Sequence, residues 1–299
     1  MKSGGNKMSW RLISYNKRSA KKYGWHPSWF NMHSLANLCP PNESNNFDKQ
    51  LIENIKYFQM VHNLKVDGKV GSITFRRILT ARDNLNPRNF IVVNGEEVNI
   101  DWDVKQDLMP TNCYRTWRRE RKPNMIVTHW DATTSAEKCK RVLQARKIST
   151  HFCIDNDGVI YQYVDTNNVA WHAKGVNNYS IGIDFSNAYY RKYETWYEKN
   201  GFGSRPVLKN SKVHGVRLKG HLGYYKIQIE AYKKLVATLC RKYDIPIQTP
   251  MIDENTADTG VVPEAASGKY EGIVCHYHLT RNKIDCAGLD LKSIVDQLS

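Results

Sequence analysis

Two histidines and an aspartate stand where apolar strands should end or run. They are His129 after Ile126-Val127-Thr128, Asp184 within Ile181-Gly182-Ile183-Asp184-Phe185, and His276 after Ile273-Val274-Cys275. A charge carried into a core is expensive unless it is paired or bound to a metal. Imidazole nitrogens and a carboxylate can hold a metal ion or move a proton, so the chemistry open to this set is metal-assisted or acid–base. A single histidine at a strand end reads as a satisfied core residue. The functional reading rests on the combination.

The elements that must position these groups can be read from periodicity. Met125-Ile126-Val127-Thr128 is a buried-strand pattern ending in His129, and a helix follows from Ser135. His151-Phe152-Cys153-Ile154, a turn at Asn156-Asp157-Gly158 and residues 159–164 form a hairpin, and Ser180–Phe185 is a further apolar strand. Ile229, Tyr232, Val236 and Leu239 sit at helical spacing in a long helix that ends near Tyr243, and residues 250–270 read as a solvated loop. Strands alternating with helices define an α/β (α+β) domain with a mixed central sheet flanked by helices, expected over 121–299.

Upstream, Leu51, Ile55, Phe58 and His62 share one helical face, Asp67-Gly68 marks a turn, and Ser72 caps a second helix carrying Phe75, Ile78 and Leu79. The words Phe58-Gln59, Leu64-Lys65-Val66-Asp67-Gly68-Lys69-Val70-Gly71 and Thr74-Phe75 resemble the small three-helix peptidoglycan-binding domain. The match covers about 47–80, with Trp10 to Trp29 supplying a first helix, and the domain is expected over 1–83. Residues 84–120 read as a linker with a short hairpin, Phe90-Ile91-Val92-Val93 and Val98-Asn99-Ile100 around an Asn94-Gly95 turn. The basic run from Arg115 to Lys122 ahead of Pro123 reads as a linker or solvated face.

The words of the second domain also carry a resemblance. Val127-Thr128-His129, Ser149-Thr150-His151-Phe152, Asp157-Gly158, Ala170-Trp171-His172-Ala173, Asn178-Tyr179-Ser180-Ile181-Gly182-Ile183-Asp184 and the stretch from His276 to Gly288 occur in this order. Together they resemble the zinc-dependent N-acetylmuramoyl-L-alanine amidases of the type-2 family, which includes phage endolysins and peptidoglycan recognition proteins.

The resemblance implies zinc held by His129, His276 and Cys286, with Asp285 as the alternative third ligand. Cys286 is favoured because a thiolate is the softer ligand; Asp285 has the spacing from Lys283 that many members show. It further implies Asp184 as general base, where many members carry glutamate, and Lys283 as the group stabilising the oxyanion. Thr150 stands where other members carry a competing tyrosine. His172, Trp171, Lys174 and His151 are expected around the substrate, His151 being alternatively structural, and His278 is not counted as a ligand.

Composition bounds the partners. Forty-four Lys and Arg against 29 Asp and Glu give a formal net charge of +15, which suits anionic wall or envelope polymers. No zinc-finger, RNA-recognition or Walker signature supports a nucleic-acid partner, and no apolar run approaches the roughly 18 residues that cross a bilayer. Seven scattered cysteines without a CxxC pair argue against a disulfide framework, and Cys139, on an apolar side with Val142 and Leu143, reads as core. The start Met1-Lys2-Ser3-Gly4-Gly5 leads into no apolar signal core. The expectation is therefore a monomeric endolysin, made in the host cytoplasm and acting on the wall after release, that cuts between the muramoyl lactyl group and L-alanine. Two other readings are a non-catalytic peptidoglycan-recognition protein and a muropeptide-recycling amidase of the same fold.

Overall fold

The computed structural model describes residues 4–30, 46–62, 64–83 and 89–298. The chain divides into two compact units, Met1–Pro87 with Trp196–Ser204, and Arg88–Thr195 with Arg205–Ser299. Cys39 lies outside the described residues; the described cysteines are all unbridged and buried.

The smaller unit holds helices α1 (Gly4–Tyr23), α2 (Lys49–Val61) and α3 (Ser72–Asp83). Asp48 caps α2 by accepting the Leu51 amide at 2.8 Å, and the apolar face beyond it (Leu51, Ile55, Phe58) packs with Trp25, Phe30, Val70 and Ile78. The connection to α3 is organised by one buried amide. Gln59 Oε1 accepts from the amides of Asp67 and Gly68 at 3.0 and 2.9 Å, while its Nε2 donates to the Lys69 carbonyl and Thr74 Oγ1 at 2.9 and 3.1 Å. Gly68 sits at φ +68°, and a Cβ there would come within 3.0 Å of Ile52, so both conformation and space require glycine. Asn16 of α1 braces the same turn, donating to the Gly68 carbonyl and accepting from the Val70 amide, each at 2.9 Å. The stretch 196–204, far along the chain, completes this unit: Ser72 Oγ donates to the Asn200 carbonyl, and a Cβ on Gly201 would meet the Ser72 amide at 2.9 Å. Nothing in the sequence pattern singled that stretch out.

The larger unit is built on a six-stranded sheet. Its strands in chain order are β1 (Val104–Gln106), β2 (Met125–Trp130), β3 (Phe152–Ile154), β4 (Ile160–Gln162), β5 (Ser180–Phe185) and β6 (Gly272–Cys275). Across the sheet the order is β6-β2-β5-β3-β4-β1, parallel throughout except for the β3–β4 pair. Alternation along the strands sends Ile126, Ile181, Ile183 and Ile273 into one core layer with Tyr232, Leu235, Val236 and Leu239 of helix α5 (Lys226–Tyr243), while Met125, Val127 and Val274 join a separate layer. Helix α4 (Ala136–Ala145) begins at Ser135, whose hydroxyl accepts from the Lys138 amide at 3.3 Å, and covers Cys153, Tyr161 and Tyr163 with Cys139. Helix α6 (Leu291–Leu298) adds Leu291 and Ile294 to the first layer.

Two expectations change here. The segment read as a linker over 84–120 is, from Arg88 onward, part of the larger unit. Its Asn94-Gly95 hairpin forms, pairing Phe90–Val93 with Glu96–Asn99, but Gln162 clasps Val92 N and O at 2.7 Å each, and Asp165 accepts from the Asn94 and Gly95 amides at 3.0 and 2.8 Å. β1 then pairs with β4 as a sheet edge. The basic run is likewise not all solvated: Arg121 is only 2% exposed.

Candidate metal and catalytic site

Strand register brings the polar set together. His129 lies opposite Asp184 across the β2–β5 pair, and Cys275 opposite Thr128 across β6–β2, so His276 emerges beside His129 at the carboxyl ends of parallel strands. In open α/β sheets that end is where ligands bind. A loop returns Asp285 to the same point. His129 Nδ1 and His276 Nδ1 are 3.0 Å apart, and Asp285 Oδ2 stands 3.1 Å from the first and 3.0 Å from the second. Ligands at about 2.0–2.1 Å around a tetrahedral ion are separated by about 3.3 Å, so these three donor atoms fit the face of a zinc-type site.

The thiol favoured in the sequence reading is elsewhere. Cys286 is fully buried within the core layer that includes Cys275, and burial together with contact to that thiol pushes its pKa well above the ordinary value. Within the turn that holds both residues, it is the Asp285 carboxylate that reaches the histidines while the Cys286 thiol goes into the core. The preference for Cys286 over Asp285 is reversed by this geometry.

The electrostatics follow from burial. Loss of solvation, reinforced by the neighbouring His276, lowers the His129 pKa to about 4. Burial alone would raise Asp285, but hydrogen bonds with His129 and His276 outweigh it and hold the carboxyl below its ordinary range. Asp184 goes the other way: burial, then the negative Asp131 and Asp285, raise it well above the ordinary value, with Lys283 opposing in part.

An open cleft of about 280 Å³ exposes this set, with His129, His276, Asp285, Asp184 and Lys283 in its wall beside Trp130, Trp171 and His172. Of the residues expected around the substrate, Trp171 and His172 line it. Lys174 is exposed but not in the wall, and His151 is buried behind it. His151 Nδ1 accepts from the Gly182 amide at 3.0 Å and its Nε2 lies 3.3 Å from Arg121, whose charge, after burial, lowers the ring to about 3. Both ring nitrogens of His151 are thus engaged away from the cleft wall. His278 is spent similarly, accepting from the Cys275 amide at 2.9 Å and donating to the Asp258 carbonyl at 2.8 Å.

Sequence reasoning missed Arg121 and Trp130. Arg121 donates to the carbonyls of Thr166, Asn168 and Asn177 at 2.9, 3.3 and 2.7 Å and to that of Ser180, clamping the segment that carries Trp171 and His172. Trp130, next after His129, was readable from its position alone. A second close set, Asp131, Cys139 and Cys153, is a poorer metal site. Asp131 already accepts from the Thr133 amide and hydroxyl at 2.8 and 2.6 Å and the Asn187 amide at 2.9 Å, and burial pushes Cys153 up to about 12.

Fold and site together define an α/β domain with two histidines and one carboxylate gathered at the carboxyl end of its sheet. Residues 119–286, more than half of the sequence, match the family model described as N-acetylmuramoyl-L-alanine amidase, and the chain belongs to that family. Residues 32–78 match a putative peptidoglycan binding domain, so the protein is a peptidoglycan amidase with a wall-binding unit. No curated protein matches it. Among solved structures, the N-acetylmuramoyl-L-alanine amidase LysC from Clostridium intestinale is 19% identical, with 65% of this chain and 97% of that one covered and a TM-score of 0.38. A mutant endolysin from Bacillus subtilis is 18% identical over 66% and 99%, TM-score 0.39. The Staphylococcus aureus hydrolase AmiA, in complex with its ligand, is 12% identical over 73% and 89%, TM-score 0.42.

Proposed function

We propose that the amidase is zinc-dependent, with His129, His276 and Asp285 as ligands, and that it cuts the bond between the muramoyl lactyl group and L-alanine in intact walls. The observation that carries this is the convergence of two imidazole nitrogens and one carboxylate oxygen within 3.0–3.1 Å of one another at the cleft wall. When bound, zinc polarises the scissile carbonyl and brings a water's pKa down to ~7.

The remaining work falls to the chain. Asp184, raised by burial, takes a proton from the attacking water on its carboxylate and returns it to the leaving amine. Its side chain is one methylene shorter than the glutamate of many relatives. Lys283 places its ammonium at the cleft, where negative charge develops on the carbonyl oxygen. Trp130 and Trp171 supply apolar walls that orient the substrate. All these groups come from one chain, which is consistent with a monomer.

The pairing of an amidase with a peptidoglycan-binding unit suits an insoluble substrate, which supports an endolysin role, and the +15 net charge suits anionic wall polymers. The test is to digest purified peptidoglycan, identify the new ends by mass spectrometry and measure bound metal. Free lactyl carboxyls and free L-alanine amines, lost on chelation and restored by zinc, are the expected result. New reducing ends or cuts inside the stem peptide would rule the assignment out.

A further inference from the structure

The smaller unit gathers cations that have no counter-charge. Residues 10–23 of α1 hold five Lys and Arg and no Asp or Glu. Tyr15, Arg18, Lys22 and Tyr23 fall on one face of that helix, at the three- and four-residue steps that make neighbours. With Glu198 and Lys199, from the stretch that completes the unit, they line an open cavity of about 360 Å³. Among the described residues Arg18, Lys22 and Lys199 form no ion pair, and Glu198, the one acid in the wall, pairs with none of them. Like charges collected in this way repel one another until an anion arrives.

The wall is held in place by its surroundings. Lys22 stands 4.9 Å over the Tyr23 ring, which stacks on Phe75 at 5.0 Å. Arg18 gives one guanidinium nitrogen to the Ser14 hydroxyl at 2.8 Å and keeps the rest of its fork open. Lys199 is brought to the wall by its neighbours: a Cβ on Gly71 would meet the Gly201 carbonyl at 3.2 Å, and the Asn200 side-chain amide donates to the Trp196 carbonyl at 2.8 Å. Burial, then the nearby Tyr23, raise the Tyr15 pKa, so its hydroxyl keeps the proton it can donate. All six lining groups lie outside 32–78, the stretch that matches the wall-binding family, so the cavity is a feature of this chain and not of the matched domain. In peptidoglycan the N-acetylated sugars are neutral and the negative charge sits on stem-peptide carboxylates. A planar guanidinium fork with two ammonium groups and a phenol donor complements a carboxylate.

We propose that this cavity is a wall contact that takes a stem-peptide carboxylate, with Arg18, Lys22 and Lys199 as its cationic wall and Tyr15 as its neutral donor. The proposal rests on the reading of the smaller unit as wall-binding. Hydrolysis of the lactyl amide frees the peptide from the sugar and leaves the other stem carboxylates unchanged, so the reaction does not consume this contact. Because Lys199 belongs to Trp196–Ser204, the site is complete only once that stretch has joined the unit.

The experiment is equilibrium binding of the full chain to purified sacculi stripped of phosphate-bearing polymers, in the cold and with chelator so that cutting does not erode them. The double variant Arg18→Gln with Lys22→Gln should bind about 3–10-fold more weakly, and adding Lys199→Gln should weaken it further. The charge-matched control, Lys17→Gln with Lys21→Gln, alters exposed positions of α1 outside the wall and should bind like the parent. Tyr15→Phe, which removes only the donor hydroxyl, should lose about 2–10-fold and keeps the test open if the double variant unfolds. Amidating the stem carboxylates of the sacculi should bring the parent down to the level of the double variant. Parental binding by the double variant would overturn the proposal, and so would equal losses in the two double variants, which would mean diffuse charge. Binding that needs the phosphate polymers and ignores amidation would overturn the carboxylate assignment. A parent chain that binds no sacculi would defeat the wall-binding reading and this proposal with it.

Discussion

The two units use their signature residues in opposite ways. In the smaller one, Gln59, Asp67, Gly68 and Thr74 all turn inward on one connection, the glutamine amide tying the other three together. In the larger one, His129, Asp184, His276 and Asp285 turn their functional atoms toward an open cleft, while Arg121 and His151 bond one another and the backbone behind it. A motif word can thus report architecture in one domain and chemistry in the next. Burial of a hydrogen-bonded amide stabilises a loop; burial of an underpaired acid or imidazole shifts its proton affinity.

The contrast can be broken most sharply at the donor set. Asp285→Ala should lose both bound zinc and lactyl-end release, while Cys286→Ala keeps its metal, measured as zinc per chain alongside product release. The reverse pattern would reinstate the thiol. Next, Asp184→Asn should retain zinc and fold while turnover falls ~10²–10⁴-fold; near-parental rates would move the proton work to another group.

In the smaller unit, Gln59→Ala should act through stability alone. It strands the Gly68 amide, a loss of about 1–3 kcal/mol if left buried and unpaired, while the Asp67 amide keeps the Lys65 carbonyl at 3.0 Å. Calorimetry should show a transition at lower temperature, and digestion of intact sacculi should slow while soluble muropeptides are cut at the parental rate. A loss on soluble muropeptides as well would erase the distinction between the units.

The smallest effect concerns acid. The His151 ring is lowered from 6.5 to about 3 by burial and then by Arg121, so the folded state binds fewer protons than the unfolded state between those values. Its contribution to stability is full above about pH 6.5 and is lost progressively as pH falls toward 3. The urea midpoint of the chelated protein should therefore drop more between pH 7 and 5 for the parent than for His151→Gln; equal drops would show that His151 does not set the slope.

Part of this was legible beforehand. His129, Asp184 and His276 announce themselves because a polar residue at the end of an apolar run has few cheap explanations. The choice between Asp285 and Cys286 was not legible, since adjacent side chains diverge and the sequence does not say which one faces the two histidines. Arg121 was concealed by its company: it sits in a run of arginines, and its partners are carbonyls 45–59 positions downstream rather than a carboxylate. β1 is three residues long, too short for a period-two pattern to show.

The interrupted make-up of the smaller unit also bears on how the protein is born. Its helices are encoded first, within Met1–Pro87, but the stretch Trp196–Ser204 that closes against Ser72 is encoded more than a hundred residues later. At about 5–20 residues per second, the ribosome delivers that stretch several seconds or more after α3 has emerged. Through that interval the wall-binding unit waits on the nascent chain without its last piece, and it reaches its finished form only as the amidase half is being made.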